Sequence, residues 1–225
     1  MAVDTRSPQQ PMLRAAERIH QLAAWGLGFV LVSLPFWLSL VALIPDASNA
    51  PLFAVCALPL APAFAAVLYS VSHLDTDEAP SRVFLRGLRQ GWRQALALWL
   101  PVVAAAAVVL VDAGAPARVR GAGLGWLLAV GLVALVAVPW VWLSQIIAAQ
   151  FAFRTRDVAR LALYYTVSRP LVSLALVAVT AAELVLVAWT FDWVPAALAS
   201  PVALLAVGLA RPALVHLRAH FLRVA

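Results

Sequence analysis

Glu183 is the residue whose type and position are most informative about chemistry, because a carboxyl stands there inside an otherwise apolar run, 171–190. It lies about seven residues from the outer end of that run, some 10 Å deep by helical rise. An acidic residue at the centre of a membrane helix costs ~2.5–3.5 kcal/mol on insertion scales, so the group must be protonated, paired or turned toward a polar cavity. A proton or substrate relay satisfies that condition, and so does a structural carboxyl hydrogen-bonded to a neighbouring helix.

Arginine supplies the second pattern. Arg82, Arg86, Arg89 and Arg93 recur at helical spacing, with Phe84, Leu85, Leu88 and Trp92 on the other side, which reads as an interfacial amphipathic helix. Asp75, Asp77 and Glu78 precede it and suit the positive end of its dipole, and Pro80 fits a first-turn position. Each Arg near an anionic leaflet contributes roughly 1 kcal/mol. The stripe is therefore a lipid-facing surface or a docking surface for a cytoplasmic partner. A second basic segment carries Arg154, Arg156, Arg160 and Arg169, with Val158, Leu161 and Leu163 as its apolar side and Tyr164 and Tyr165 as interfacial anchors.

Other chemistry has no visible carrier. His216 and His220 are spaced as metal ligands but lack a third ligand, and they read as polar-face residues. Cys56 is alone, which excludes an internal disulfide and a cysteine-cluster metal site. There is no lysine, and no His-Glu-x-x-His, Gly-x-Ser-x-Gly or phosphate-binding loop. The expectation is a protein that is not an enzyme, without metal or cofactor.

The elements that must position these residues are membrane helices. Of the 225 residues 64% are hydrophobic and 12% charged, and the mean hydropathy is +0.94, values that a water-facing surface does not tolerate. The net charge of +6 sits in short segments between apolar runs, which favours anionic lipid headgroups over nucleic acid as the partner. The runs are continuous and near helical span length, so helices are expected rather than barrel strands. They fall at 22–44, 52–72, 95–111, 124–144, 171–190 and 196–214. The first is too long for a signal-peptide core and is expected to remain as a helix.

The fold class expected is all-α: a polytopic membrane helical bundle of about six transmembrane helices with cytoplasmic amphipathic helices. One membrane domain covers 1–225, with a cytoplasmic N-terminal segment at 1–20, the bundle at 22–214 and a cytoplasmic tail at 215–225. Arg6, Arg14 and Arg18, the two basic segments, and Arg211, Arg218 and Arg223 share one side. Only Arg118 and Arg120, with Asp46, Asp112 and Asp192, mark the other. The positive-inside rule then places both termini in the cytoplasm. Trp126, Trp189 and Trp193 are expected at outer ends and Trp25, Trp92, Trp140 and Trp142 near inner ends, whereas Trp37 and Trp99 fit packing between helices. Pro35, Pro59, Pro62, Pro101, Pro139 and Pro201 permit kinks within the runs.

Three stretches carry a likeness to a known family. They are Leu60-Ala61-Pro62-Ala63-Phe64-Ala65-Ala66-Val67-Leu68-Tyr69, then Phe84-Leu85-Arg86-Gly87-Leu88-Arg89-Gln90-Gly91-Trp92-Arg93-Gln94-Ala95, and Ala149-Gln150-Phe151-Ala152-Phe153 through Arg160-Leu161-Ala162-Leu163. Together they resemble the YesL-like family of bacterial multi-span membrane proteins, a domain of unknown function. The resemblance implies a bacterial inner-membrane protein associated with carbohydrate utilisation and sugar uptake, without assigned catalytic residues. The expected function is a non-catalytic accessory component of carbohydrate uptake whose Arg-rich helices dock a membrane or cytoplasmic protein partner. The alternative is a small-solute transporter or channel using Glu183 and the proline-kinked helices.

Overall fold

The computed structural model describes residues 9–44, 46–76, 78–113, 116–190 and 193–221. Arg6, Asp77, Asp192 and Arg223 lie outside the described residues, as do the side chains of Asp112, Arg118, Arg120, Trp126 and His220. In chain order come α1 (Gln9–Val32), α2 (Leu34–Ala42), a 3-10 turn (Ala47–Asn49), α3 (Ala50–Cys56), α4 (Leu60–Val71), α5 (Pro80–Ala113), α6 (Pro116–Gln150), α7 (Thr155–Ser168), α8 (Pro170–Trp189) and α9 (Val194–Phe221). Among the described residues there is no strand. Five helical segments are long and apolar enough to cross a bilayer, and six if the bent pair Met12–Val32 and Leu34–Ala42 counts as one span. The chain is thus an all-α polytopic membrane bundle.

The first span and the start of the third depart from the sequence expectation. The first span is broken rather than continuous, with its halves bent by 59°. Pro35 lacks the N–H that would bond the Leu31 carbonyl, and its ring disfavours helical geometry at Leu34. The break is bridged by side chains: Ser33 Oγ donates to the Phe29 carbonyl at 2.6 Å and accepts from Trp37 Nε1 at 2.8 Å. The Arg82–Arg93 stripe, expected as a separate interfacial helix, forms the opening turns of α5 and runs without interruption into the third span. Its packed face meets both α1, at Gly28 beside Phe84, and α4, at Tyr69 beside Gly87. Val83, Phe84 and Gly87 are buried, while Leu85 and Trp92 are exposed.

α4 is the centre of the bundle. Ala63, Ala66, Val67 and Leu68 have no exposed surface, because small side chains let the other helices close around it. Gly87 of α5 lies so near Tyr69 that a Cβ there would come within 2.8 Å of the ring. α9 uses the same device. Ala196, Ala199, Ala203, Ala206, Ala210, Ala213 and Leu217 are all buried, and their alternating spacing of three and four is a seam of coiled-coil period.

At the basic end, Trp25 of α1 is 1% exposed and its Nε1 donates to the Pro80 carbonyl at 3.1 Å, tying α1 to the start of α5. Trp25→Phe is expected to lower stability by about 1 kcal/mol, the worth of one buried hydrogen bond, read as a lower unfolding midpoint in detergent.

α7 folds back onto α6, where Trp140 Nε1 donates to the Ala159 carbonyl at 3.0 Å. Its buried stripe is Val158, Ala162 and Tyr165, with Leu161 packed beside it, whereas Leu163, expected on the same apolar side, is exposed with Tyr164. Tyr165 is not an interfacial anchor. Burial pushes its hydroxyl above the usual range, and its Oη lies 3.0 Å from His216 Nδ1 of α9.

Candidate functional site

The break at Ser33, the alanine-rich centre and the α8 carboxyl meet around one cavity of about 290 Å³. Its walls come from seven helices: Phe29 of α1, Phe36 and Trp37 of α2, Phe64 of α4, Trp99 of α5, Trp142 and Gln145 of α6, Thr180 and Glu183 of α8, and Ala199 of α9. The bend matters locally, since it brings aromatic side chains from both sides of the break onto the same cavity. Three of the rings interlock edge to face: Phe29 with Phe64 at 6.2 Å, and Phe64 with Trp142 at 5.2 Å between centroids.

The polar groups of this cavity are asymmetric in kind. All three indole N–H groups already have protein acceptors: Trp37 donates to Ser33 Oγ at 2.8 Å, Trp99 to the Ala57 carbonyl at 3.3 Å, and Trp142 to Thr180 Oγ1 at 2.9 Å. Thr180 in turn donates to the Leu176 carbonyl at 3.1 Å. Gln145 is 3% exposed. Its Nε2 donates to the Ala95 carbonyl at 3.3 Å, while its Oε1 is buried without a partner. Glu183 has no hydrogen bond or ion pair among the described residues, and no Arg or His lines the cavity. The rings therefore offer carbon and π surface, and the polar atoms left over are oxygens.

Two further cavities flank this one. Toward the basic end, a cavity of about 490 Å³ is lined by Tyr69, His73, Gln90, Gln94 and Gln150. It begins one helical turn away: Ala61 and Gln145 line the first cavity, Ala65 and Ala148 the second. Between them sit the Gln145–Ala95 hydrogen bond and the packed alanines Ala61, Ala65 and Ala95. On another side, an apolar cavity of about 240 Å³ shares Phe36, Leu60 and Trp99 as a common wall.

The basic residues that line cavities line other ones than Glu183 does, those of α5 one and those of α7 another. Arg82, Arg86 and Arg89 line an exposed cavity of about 480 Å³, where Arg86 pairs with Glu78 at 2.7 Å. Arg93 sits over the Trp92 ring at 5.2 Å. Arg156 and Arg160 border an apolar groove on α6 formed by Leu132, Val133 and Val136, and Arg154 is exposed at the head of α7.

Sequence reasoning singled out Glu183 and set Trp37 and Trp99 apart as packing between helices, and the structure places all three on the cavity. It assigned Trp142 to a headgroup level, and it passed over Gln145, Phe29 and Phe64. The missed signal was Gln145 itself, an amide directly following the apolar run 124–144. No family model, no curated protein and no solved structure matches the chain.

Proposed function

We propose that this chain is a small-solute carrier whose site is the aromatic cavity beside Glu183, with both termini on the cytoplasmic side of a bacterial inner membrane. The observation that carries the reading is an aromatic cavity that holds a carboxyl without a protein partner among the described residues beside the buried, unpartnered Gln145 Oε1, since polar groups left without partners in such a setting cost stability unless something occupies the site. The flanking cavity toward the basic end supports a path, because Ala61 and Gln145 line the site while Ala65 and Ala148, one helical turn away, line that cavity. The positive-inside pattern supplies the orientation.

The test is flux of a panel of labelled cationic, neutral and anionic small solutes into vesicles reconstituted with the protein. Glu183→Gln, which keeps size and removes charge, is expected to reduce the flux of any carried solute about tenfold or more. Unaltered flux in that variant counts against the assignment, as does the absence of protein-dependent flux for the whole panel.

A second reading has its own support. Arg82, Arg86 and Arg89 form one exposed basic surface, which suits docking of a protein partner by an accessory component of carbohydrate uptake. Charge reversal at Arg86 and Arg89 is expected to release a partner that co-purifies in mild detergent. Retention of every such protein removes the basis of this reading.

A further inference from the structure

We infer that the Glu183 cavity takes a compact organic cation, a quaternary ammonium or a protonated amine. The inference rests on the reading of that cavity as the functional site and names its ligand class.

The argument is one of complementarity. An anion finds no partner there among the described residues, because none of their cationic side chains lines the cavity and the indole donors are already engaged by Ser33, Ala57 and Thr180. A polyhydroxylated neutral solute needs donors as well as acceptors. The cavity oxygens without partners among the described residues are instead the buried Gln145 Oε1 and those of the Glu183 carboxyl, and a carboxylate beside a second oxygen acceptor favours a ligand of positive charge.

The apolar walls point the same way. Phe29, Phe36, Trp37, Phe64, Trp99 and Trp142 surround the site, and aromatic rings attract a cation through their quadrupole, most strongly where water is excluded. Tryptophan is the best such ring, and three of these six are tryptophans held by hydrogen bonds. A volume of about 290 Å³ lies at the low end of the ~300–1,000 Å³ typical of small-molecule sites, which limits the ligand to a compact cation.

The experiment is equilibrium binding to the purified protein in mild detergent, with choline and its uncharged isostere 3,3-dimethylbutan-1-ol as probes. Isothermal titration gives the affinities, and quenching of tryptophan fluorescence reports entry. Choline is expected to bind at least about tenfold more tightly than the alcohol. Glu183→Gln is expected to abolish that preference, and an unfolding midpoint in the same detergent no lower than the parent's shows that the variant is folded. Trp99→Leu is expected to weaken choline about tenfold, and the alcohol less. Equal binding of the two probes overturns the cation assignment and leaves the carrier reading standing. Saturable binding of neither probe overturns the cation assignment as well, and then protein-dependent flux of a neutral or anionic solute alone preserves the carrier reading.

Discussion

Gly87→Ala is expected to destabilise the bundle by about 1–3 kcal/mol, the usual cost of overpacking a close contact. The expectation runs against helix propensity, which favours Ala over Gly by up to ~1 kcal/mol. Geometry decides the sign. A Cβ at Gly87 would lie 2.8 Å from Tyr69 Cδ1 and 2.9 Å from its Cβ and Cγ. The last two are anchored next to the backbone, so the side chain cannot swing clear and α4 and α5 must move apart. Gly91, one turn further along α5, is open: a methyl group placed there would meet nothing within 4 Å. Gly91→Ala is therefore expected to be neutral or stabilising by up to ~1 kcal/mol. Unfolding midpoints of the two variants in the same detergent make the check. A pair of midpoints that shift together would mean that α5 does not approach α4 closely at Gly87.

Gln145→Leu is expected to move stability and function in opposite directions. The substitution keeps approximate volume and removes a buried acceptor, Oε1, that has no partner. The hydrogen bond lost with it, to the Ala95 carbonyl, is long at 3.3 Å. Removing an unsatisfied buried polar group recovers about 1–3 kcal/mol, so the variant should unfold at a higher temperature. The same change deletes one of the two acceptors of the cavity and is expected to reduce solute flux about tenfold, the effect of losing ~1.4 kcal/mol. A variant that is more stable and carries solute as well as the parent would show that Gln145 plays no part in the site. Stabilisation coupled to loss of activity is the usual signature of a functional polar group maintained against the interest of the fold.

The two expectations share a cause. The interior of this bundle is close-packed where alanine and glycine let helices touch, as along the α9 seam and between α4 and α5. It is open where prolines and aromatic side chains hold helices apart. Pro35 bends the first span, and the Phe and Trp side chains around the break prop open the space in which Glu183 lies. Both situations arise without a hydrophobic driving force between helices, so packing and hydrogen bonds set the arrangement.

Composition and continuous apolar runs were enough to determine that the chain is an all-helical, multi-span membrane protein, because backbone polar groups in lipid permit little else. The same logic made Glu183 conspicuous from the sequence, since a carboxyl inside such a run has to be accounted for. Periodicity was less informative about faces. It put Leu85 and Trp92 on the apolar side of the Arg stripe and Leu163 on that of α7, and all three are exposed, whereas Phe84 and Val158 of the same two sides are buried. Beside a bilayer, lipid accepts apolar side chains as readily as the protein interior does, so hydrophobicity alone does not distinguish the buried face, on which the small residues Gly87 and Ala162 lie. Tertiary structure alone decided that Phe29, Trp99, Trp142, Gln145 and Glu183, drawn from four helices far apart in the chain, surround one cavity. Which residues meet across helices depends on bend and rotation, and those are set by contacts such as Trp37 with Ser33 and Gln145 with Ala95, which have no counterpart in local sequence pattern.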